Sequence, residues 1–445
     1  MIGVDNMKTV KENLLFRLEK FGGILINKTT FARIELNKLE ACFLYAVRYC
    51  GLEKTIKYFE DNYQTQGLQN ILEYDLFEEN NGKDLVALPK DIIKHAEKKI
   101  EELSKKNILS FPLELTIYPS MYCDLSCSFC FLAEREEKSS KSAQDWRKIL
   151  EQAKENGILS ISILGGEPTR YYDIDNLLIV CDSLKLKTTI TTNAQFIKKS
   201  TIKVIEQSSY ITPVLSLQSL DEKLNFELMG VRPLRQVELI KHFKKIGKKC
   251  RINTVYTKQS LEQIKDLVDF CSENNVERFS VANYSEVTGF TRIKKKYDLF
   301  DLRKLNERIS EYIDSQNYEL VFATEGCHLF TAYPELIKDS IEFSKFDEMY
   351  FGCRAKYTKM EIMSNGDVLP CIAFLGSEQR KSNAFKSKLV DIWSNDKLYN
   401  DIRKFKTKNT RCLSCSLINI CQGGCYVNLL REERPEEARD SVCTL

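Results

Sequence analysis

Three cysteines fall within eight residues of the stretch "YPSMYCDLSCSFCFLAERE": Cys123, Cys127 and Cys130, spaced C-x3-C-x2-C with no fourth thiol close by. Three thiolates can hold three corners of a [4Fe–4S] cubane and leave the fourth iron open to another molecule, so the trio points to chemistry at an open iron. Downstream, "RCLSCSLINICQGGCY" places Cys412, Cys415, Cys421 and Cys425 as C-x2-C-x5-C-x3-C, and Cys353, Cys371 and Cys443 are dispersed around that group. A quartet with a C-x2-C pair also suits structural zinc, and the spacing of the C-terminal group alone leaves both readings open. Six of the 16 cysteines stand outside these motifs: Cys42, Cys50, Cys181, Cys250, Cys271 and Cys327. Their surroundings are mostly apolar, where a thiol packs as a small hydrophobe.

The elements that must position the first trio follow from the hydrophobic period. From Leu109 onward, apolar runs ending at Ile117, Leu164, Thr192, Leu217, Tyr256 and Val281 alternate with amphipathic stretches such as "DWRKILEQAKENG" and "LEQIKDLVDFCSENN". Six strand–helix repeats predict an α/β fold whose parallel sheet curls into a partial (β/α)6, TIM-like barrel. Chemistry in such barrels gathers at the C-terminal ends of the strands. The cysteine loop, "GGEPTR", "TTN" and "SLQS" follow the first four strands in turn and so share one rim. Gly165 and Gly166 let a ligand approach the backbone there, and Glu167 offers a carboxylate to an ammonium group. An amino acid could chelate the open iron through its amine and carboxylate.

Before the barrel, "LLFRLEKFGGILINKTTFARIE" reads as an antiparallel ribbon and "LEACFLYAVRYC" and "LEKTIKYFEDNY" as helices, which together predict a winged-helix-like domain. The lysine-rich stretch Asp91 to Lys106 reads as a linking helix. The chain of 445 residues carries a net charge of +3, and residues 1–110 hold 17 basic and 17 acidic side chains. That balance gives no general attraction for nucleic acid and argues against a winged-helix regulator that senses redox state. No stretch approaches the ~20 apolar residues of a membrane span, and the start lacks a signal-like apolar core. With no secretion signal, clustered cysteines imply metal or catalysis in a reducing cytoplasm rather than disulfides.

The C-x3-C-x2-C loop with Phe129 before its last cysteine, together with Gly-Gly-Glu after the second strand, resembles the radical S-adenosylmethionine (SAM) enzymes. Cys353, Gly366, Cys371, the Cys412–Cys425 group and Cys443 resemble their SPASM extension. "FRLEKFGGILIN", "SILGGEPTRY", "VLSLQSLD" and "FATEGCHLFTAYPELI" are similar to the streptide maturases, which join a lysine and a tryptophan side chain in a precursor peptide. The resemblance implies SAM and three [4Fe–4S] clusters. Cys123, Cys127 and Cys130 would hold the first, Cys412, Cys415, Cys421 and Cys443 a distal auxiliary cluster, and Cys353, Cys371 and Cys425 a nearer one. Lys359 stands where some relatives have a further cysteine, which leaves open what completes the nearer set. Phe129, Gly165, Gly166, Glu167, Asn193, Ser216 and Gln218 would contact SAM, with Arg232 or Arg235 as substitutes for a missing carboxylate partner; Met229 occupies the position of a frequent arginine. The implied partners are a precursor peptide with a leader and a one-electron donor such as flavodoxin or ferredoxin. The implied domains are peptide recognition at 1–108, the barrel at 109–310, a bridging region at 311–346 and SPASM at 347–445. Another SPASM activity, thioether formation or Cys/Ser oxidation, stays open. In "TEGCHLF", Glu325 is the candidate base at a strand end, with His328 beside it.

Overall fold

The computed structural model describes residues 8–30, 32–80, 85, 87–106, 108–130, 132, 141–283, 299–325, 349, 352–376, 382–430, 432–440 and 443; the side chains of 283, 299–303 and 325 fall outside it. The chain divides into two compact units, residues 1–112 with 344–346, and 113–343 with 347–445.

In the first unit β1 (Lys8–Val10), β2 (Leu14–Glu19), β3 (Gly22–Asn27) and β4 (Arg33–Leu36) precede helices α1 (Lys38–Cys50), α2 (Leu52–Asn62) and α3 (Gln69–Glu73), strand β5 (Phe77–Glu79) and helix α4 (Pro89–Ser104). The expected ribbon is an antiparallel β2-β3-β4 sheet, and β1 pairs with β5. Asn37 starts α1 with a reciprocal capping box to Glu40. Phe16, Leu25, Phe43, Val47, Phe59 and Ile93 share one core. Arg17 and Glu19 are buried beside it as a pair at 2.6 Å. Both charges find further partners: Glu19 accepts from Ser110 N at 2.6 Å, and Arg17 Nη1 donates to the Pro112 carbonyl at 3.0 Å. A buried pair is tolerated only with such additional hydrogen bonds.

The second unit is built on β6 (Glu114–Ile117), β7 (Ser160–Ile163), β8 (Thr188–Thr192), β9 (Ile211–Ser216), β10 (Arg251–Tyr256), β11 (Arg278–Asn283) and β12 (Val321–Glu325), hydrogen-bonded in parallel in sequence order. Helices α5 (Ala143–Glu155), α6 (Ile174–Ser183), α7 (Lys199–Gln207), α8 (Glu222–Met229), α9 (Leu234–Lys245), α10 (Leu261–Glu273) and α11 (Leu299–Ser315) intervene. Among the described residues the strand–helix repeats thus run one strand beyond the six expected, because α11 returns the chain so that β12 adds to β11. From the C-terminal region, β13 (Lys359–Ile362) pairs in parallel with the free side of β6, and β14 (Val368–Leu369) folds back on β13.

The two faces of the sheet differ. Ile161, Ile163, Ile190, Leu215, Ile252 and Phe279 are buried on one side, where α6, α7 and α9 lie against β9 and α10 against β11. The alternate positions Ser162, Thr189, Thr191, Ser216 and Asn253 are polar and half-buried. Thr189 Oγ1 donates to Ser162 Oγ at 3.2 Å, as residues in one row of a parallel sheet can. Among the described residues no helix is long and apolar enough to cross a membrane.

Candidate functional site

The cysteine loop leaves the end of β6, and Cys123, Cys127 and Cys130 are all half-buried. Leu125, Leu228 and Met229 form an apolar patch against which Cys123, Cys127 and Phe129 pack. The loop is fastened to the end of α8: Ser128 N donates to the Leu228 carbonyl at 2.8 Å, and the Cys127 thiol lies 3.9 Å from the carbonyl of Met229. Sulfur atoms receive main-chain hydrogen bonds from two residues further on, Leu125 N to Cys123 and Leu132 N to Cys130, both at 3.4 Å. Burial pushes the Cys123 thiol up to about 11, so it carries a proton until a metal displaces it.

The Gly-Gly-Glu turn braces this loop. Gly166 N donates to the Ser120 carbonyl at 3.1 Å and Glu167 N to that of Tyr122 at 2.7 Å. A Cβ on Gly165, whose φ is +152°, would stand 2.3 Å from Ser120 O, and one on Gly166 2.3 Å from Tyr122 O and 2.4 Å from Met121 O. The space the glycines leave is therefore filled by the backbone of the cysteine loop, whereas the sequence suggested an approaching ligand. Glu167 is buried, and its Oε1 accepts from Thr169 N, Thr169 Oγ1 and Thr192 Oγ1 while Oε2 accepts from Asn193 N at 2.7 Å. Burial raises its pKa despite those hydrogen bonds; Oε2, with a single donor, retains room for another.

Asn193 follows β8 and donates through Nδ2 to Asp124 Oδ1 at 2.9 Å, while Ala194 takes a left-handed φ of +63°. Strain of that kind collects at functional turns. Asp124 Oδ2 is buried and accepts no hydrogen bond among the described residues; Arg170 Nε stands 3.7 Å away. The structure therefore brings Cys123, Cys127, Cys130, Phe129, Gly165, Gly166, Glu167 and Asn193 onto one rim. Gln218 Oε1 accepts from Val255 N at 2.8 Å and ties the end of β9 to β10. Ser216 ends β9 beside Asn253, whose Oδ1 is buried without a hydrogen-bond donor among the described residues. Arg232 and Arg235 make exposed pairs with Glu222 and Glu238. Glu325 is the last residue of β12, in register with Ala282; its side chain and all of His328 lie outside the described residues.

Cys353, Cys371, Cys412, Cys415, Cys421, Cys425 and Cys443 are half-buried in the second unit. Burial raises Cys412, and the charges of Cys443 and Cys415 act on it. Burial pushes Cys421 up to about 12, with Cys443 and Cys412 adding to the rise. Cys353, Cys421 and Cys425 all act on the ammonium of Lys356, and Cys371 acts on the phenols of Tyr118 and Tyr399. Ala373 N donates to Cys371 Sγ at 3.2 Å, and Gly423 N donates to Cys421. Asp440 accepts from Cys425 N at 2.6 Å through its side chain and from Cys443 N at 3.0 Å through its carbonyl. Cys123, Cys130, Cys371 and Cys421 thus each receive an N–H from two residues on, a setting that suits iron-bound thiolates. Among the described residues no three Cys, His, Asp or Glu side chains form a group for a single ion, and no disulfide joins any described cysteine. Cys42, Cys50, Cys181, Cys250 and Cys271 are buried core thiols as expected; Cys327 lies outside the described residues.

Sequence reasoning did not single out Asp124, Lys356, Gln422 or Asp440, and it placed Arg170 and Thr192 on the rim without giving them a role. Asp124 adjoins a motif cysteine, but nothing in its neighbours marks it as buried.

Residues 117–271 match the radical SAM superfamily, and residues 353–416 match an iron–sulfur cluster-binding domain, SPASM. Fold and site together define a radical SAM enzyme with an iron–sulfur extension. The chain is 65% identical to Streptococcus suis SuiB in its complex with the precursor peptide SuiA, over 99% of this chain and 100% of that one, with a TM-score of 0.94. Against SuiB bound to S-adenosylmethionine the identity is 64%, the coverage 98% and 100%, and the TM-score 0.93. It is 22% identical over 361 residues to the PqqA peptide cyclase of Bradyrhizobium diazoefficiens, covering 78% of this chain and 89% of that protein. The chain belongs to the SuiB family of radical SAM/SPASM peptide maturases, as the resemblance to streptide maturases implied.

Proposed function

We propose that the protein joins a lysine and a tryptophan side chain of a ribosomally made precursor peptide through a carbon–carbon bond. The observation that carries this reading is full-length similarity, at 65% identity, to a maturase crystallised with its precursor peptide. Bound SAM and a [4Fe–4S] cluster on Cys123, Cys127 and Cys130 would supply a 5′-deoxyadenosyl radical. The chain's own residues hold that site: the Gly165–Glu167 turn fixes the loop, and Asn193 and Asp124 lie beside it. Two further clusters are assigned to Cys353, Cys371 and Cys425, and to Cys412, Cys415, Cys421 and Cys443. Residues 1–108 serve recognition of the peptide's leader, 109–310 the barrel, 311–346 a bridge and 347–445 the SPASM region. A flavodoxin- or ferredoxin-like donor supplies electrons in the cytoplasm. The 5′-deoxyadenosyl radical would take one hydrogen atom from the lysine side chain; Glu325, at the C-terminal end of a barrel strand, takes the indole proton, and the remaining electron would pass to an iron–sulfur cluster.

The test is tandem mass spectrometry of a peptide holding both residues after incubation with enzyme, SAM and reductant. The expected product is lighter by two hydrogens and does not fragment between the joined residues; a linkage through sulfur or oxygen would move the assignment to another SPASM activity. With Glu325→Gln, 5′-deoxyadenosine should still form while cross-link falls ~100-fold or more. Wild-type cross-linking would pass the base role to His328 or water.

A further inference from the structure

Lys356 is 1% exposed, one of the largest fully buried side chains in the molecule. It lies on a single helical turn, Arg354–Tyr357, that Cys353 opens. Its Nζ donates to Gln422 Oε1 at 2.8 Å. Gln422 directly follows Cys421, sits at a left-handed φ of +54°, and donates through Nε2 to Tyr357 Oη at 2.8 Å. The ring centre of Phe405 is 5.9 Å from Nζ. The main chain is held from both sides: Lys356 N donates to the Cys353 carbonyl at 2.9 Å, and Arg403 Nε donates to the Lys356 carbonyl at 2.9 Å. Arg403 is itself stacked on Trp393, 4.2 Å from the ring centre.

Such an anchor leaves an ammonium little freedom to reach water, and burying one without an anion is costly. Burial lowers its pKa; the groups that work in the opposite direction are the thiols of Cys353, Cys421 and Cys425, with no carboxylate among them. Lys356 stands on the turn that Cys353 opens and is anchored on Gln422, next to Cys421, so an anion is expected beside these two cysteines. A thiolate-ligated cluster is one, and its reduction potential depends on the net charge and hydrogen bonding around it. A fixed cation in a buried, weakly screened place favours the form that has gained an electron.

We propose that Lys356 is a built-in positive charge that raises the reduction potential of the auxiliary clusters, most strongly at the Cys353, Cys371 and Cys425 set. This rests on the cluster assignment above. Lys356 stands on the turn opened by Cys353 of the nearer set, while its link to the distal set runs through Gln422 beside Cys421, so the charge bears unequally on the two sites. A cluster so tuned accepts an electron more readily than the same ligands would make it, independently of anything the peptide does.

The test uses the full chain carrying Cys123→Ala, Cys127→Ala and Cys130→Ala, loaded anaerobically, so that auxiliary signals alone remain. Iron content and redox titration followed by electron paramagnetic resonance are measured for that background, with and without Lys356→Met or Lys356→Arg. The expected result is unchanged iron, a shift to more negative potential with Met that is larger for one cluster than for the other, and recovery of most of the shift with Arg. Unchanged potentials in a fully loaded Lys356→Met protein overturn the proposal. If that variant loses its clusters, Gln422→Glu sets a carboxylate against the ammonium and decides: lower potential supports the assignment, and unchanged potential overturns it. A background protein without auxiliary iron would instead overturn the cluster assignment itself.

Discussion

At the barrel mouth the thiols are held by main chain: the Gly165–Glu167 turn hydrogen-bonds the carbonyls of Ser120 and Tyr122, and Ser128 N reaches the end of α8. In the C-terminal region the helices around the thiols are single turns, such as Thr410–Leu413 and Ile418–Cys421, and side chains carry the load. Asp440 accepts from Cys425 N and Asn428 Nδ2, Lys356 is anchored on Gln422, and Arg439 Nη2 approaches Cys443 Sγ at 3.4 Å. The contrast shows two ways of fixing a thiol. A strand end can be aimed by the sheet behind it, while a loop with little regular structure must be tied by buried polar groups, each of which is costly if left unmatched.

The sharpest break in this comparison removes the barrel set alone. Cys123→Ala, Cys127→Ala and Cys130→Ala together should abolish 5′-deoxyadenosine formation, read by chromatography, and lower iron from about twelve atoms to about eight. Persistent SAM cleavage at the lower iron content would show that the initiating site lies elsewhere.

A smaller effect is expected where main chain alone is disturbed. Gly166→Ala adds a Cβ within 2.4 Å of two carbonyl oxygens of the cysteine loop, and overpacking of this kind costs roughly 1–3 kcal/mol. Denaturation midpoints should fall, and the iron lost should be that of the barrel site, leaving the auxiliary signals in place. A protein with normal stability and full iron would mean that the loop is held from its other end.

The mildest of the three tests the side-chain strategy. Asp440→Asn keeps the shape but loses the charge that Cys425 N faces at 2.6 Å, a hydrogen bond worth about 1.5–3 kcal/mol when the acceptor is ionised and less when it is neutral. Stability should fall by about 1 kcal/mol, the difference between a charged and a neutral acceptor, with iron loss confined to the auxiliary sites. Loss of the barrel cluster would contradict the division between the two strategies.

Much of the barrel was legible because period carries it: five of the six predicted strand ends fall within one residue of those observed, and Val281 lies two residues short of Asn283. The cysteine spacings are local and could be read directly. What stayed hidden depends on contacts far apart in sequence. Gly166 needs its missing side chain because of Tyr122, 44 positions earlier. Gln218 stood in a plausible cofactor position, and its additional link from Oε1 to the backbone N–H of Val255 could not be read from its neighbours. Lys356 in "CRAKYT" looks like any surface lysine, since its burial comes from Gln422 and Phe405 rather than from its neighbours in the chain.

The pairing of β13 with β6 has a further consequence for how this enzyme could be cut or recombined. The strand that leads into the Cys123–Cys130 loop has β7 on one side and the C-terminal region on the other, so a chain ending before residue 347 would leave a row of unpaired N–H and C=O groups along β6. Open edges of that kind invite pairing with other chains. The iron–sulfur extension is thus a structural member of the barrel: a shortened or shuffled version that keeps every residue of the SAM site should still aggregate unless another segment caps that edge.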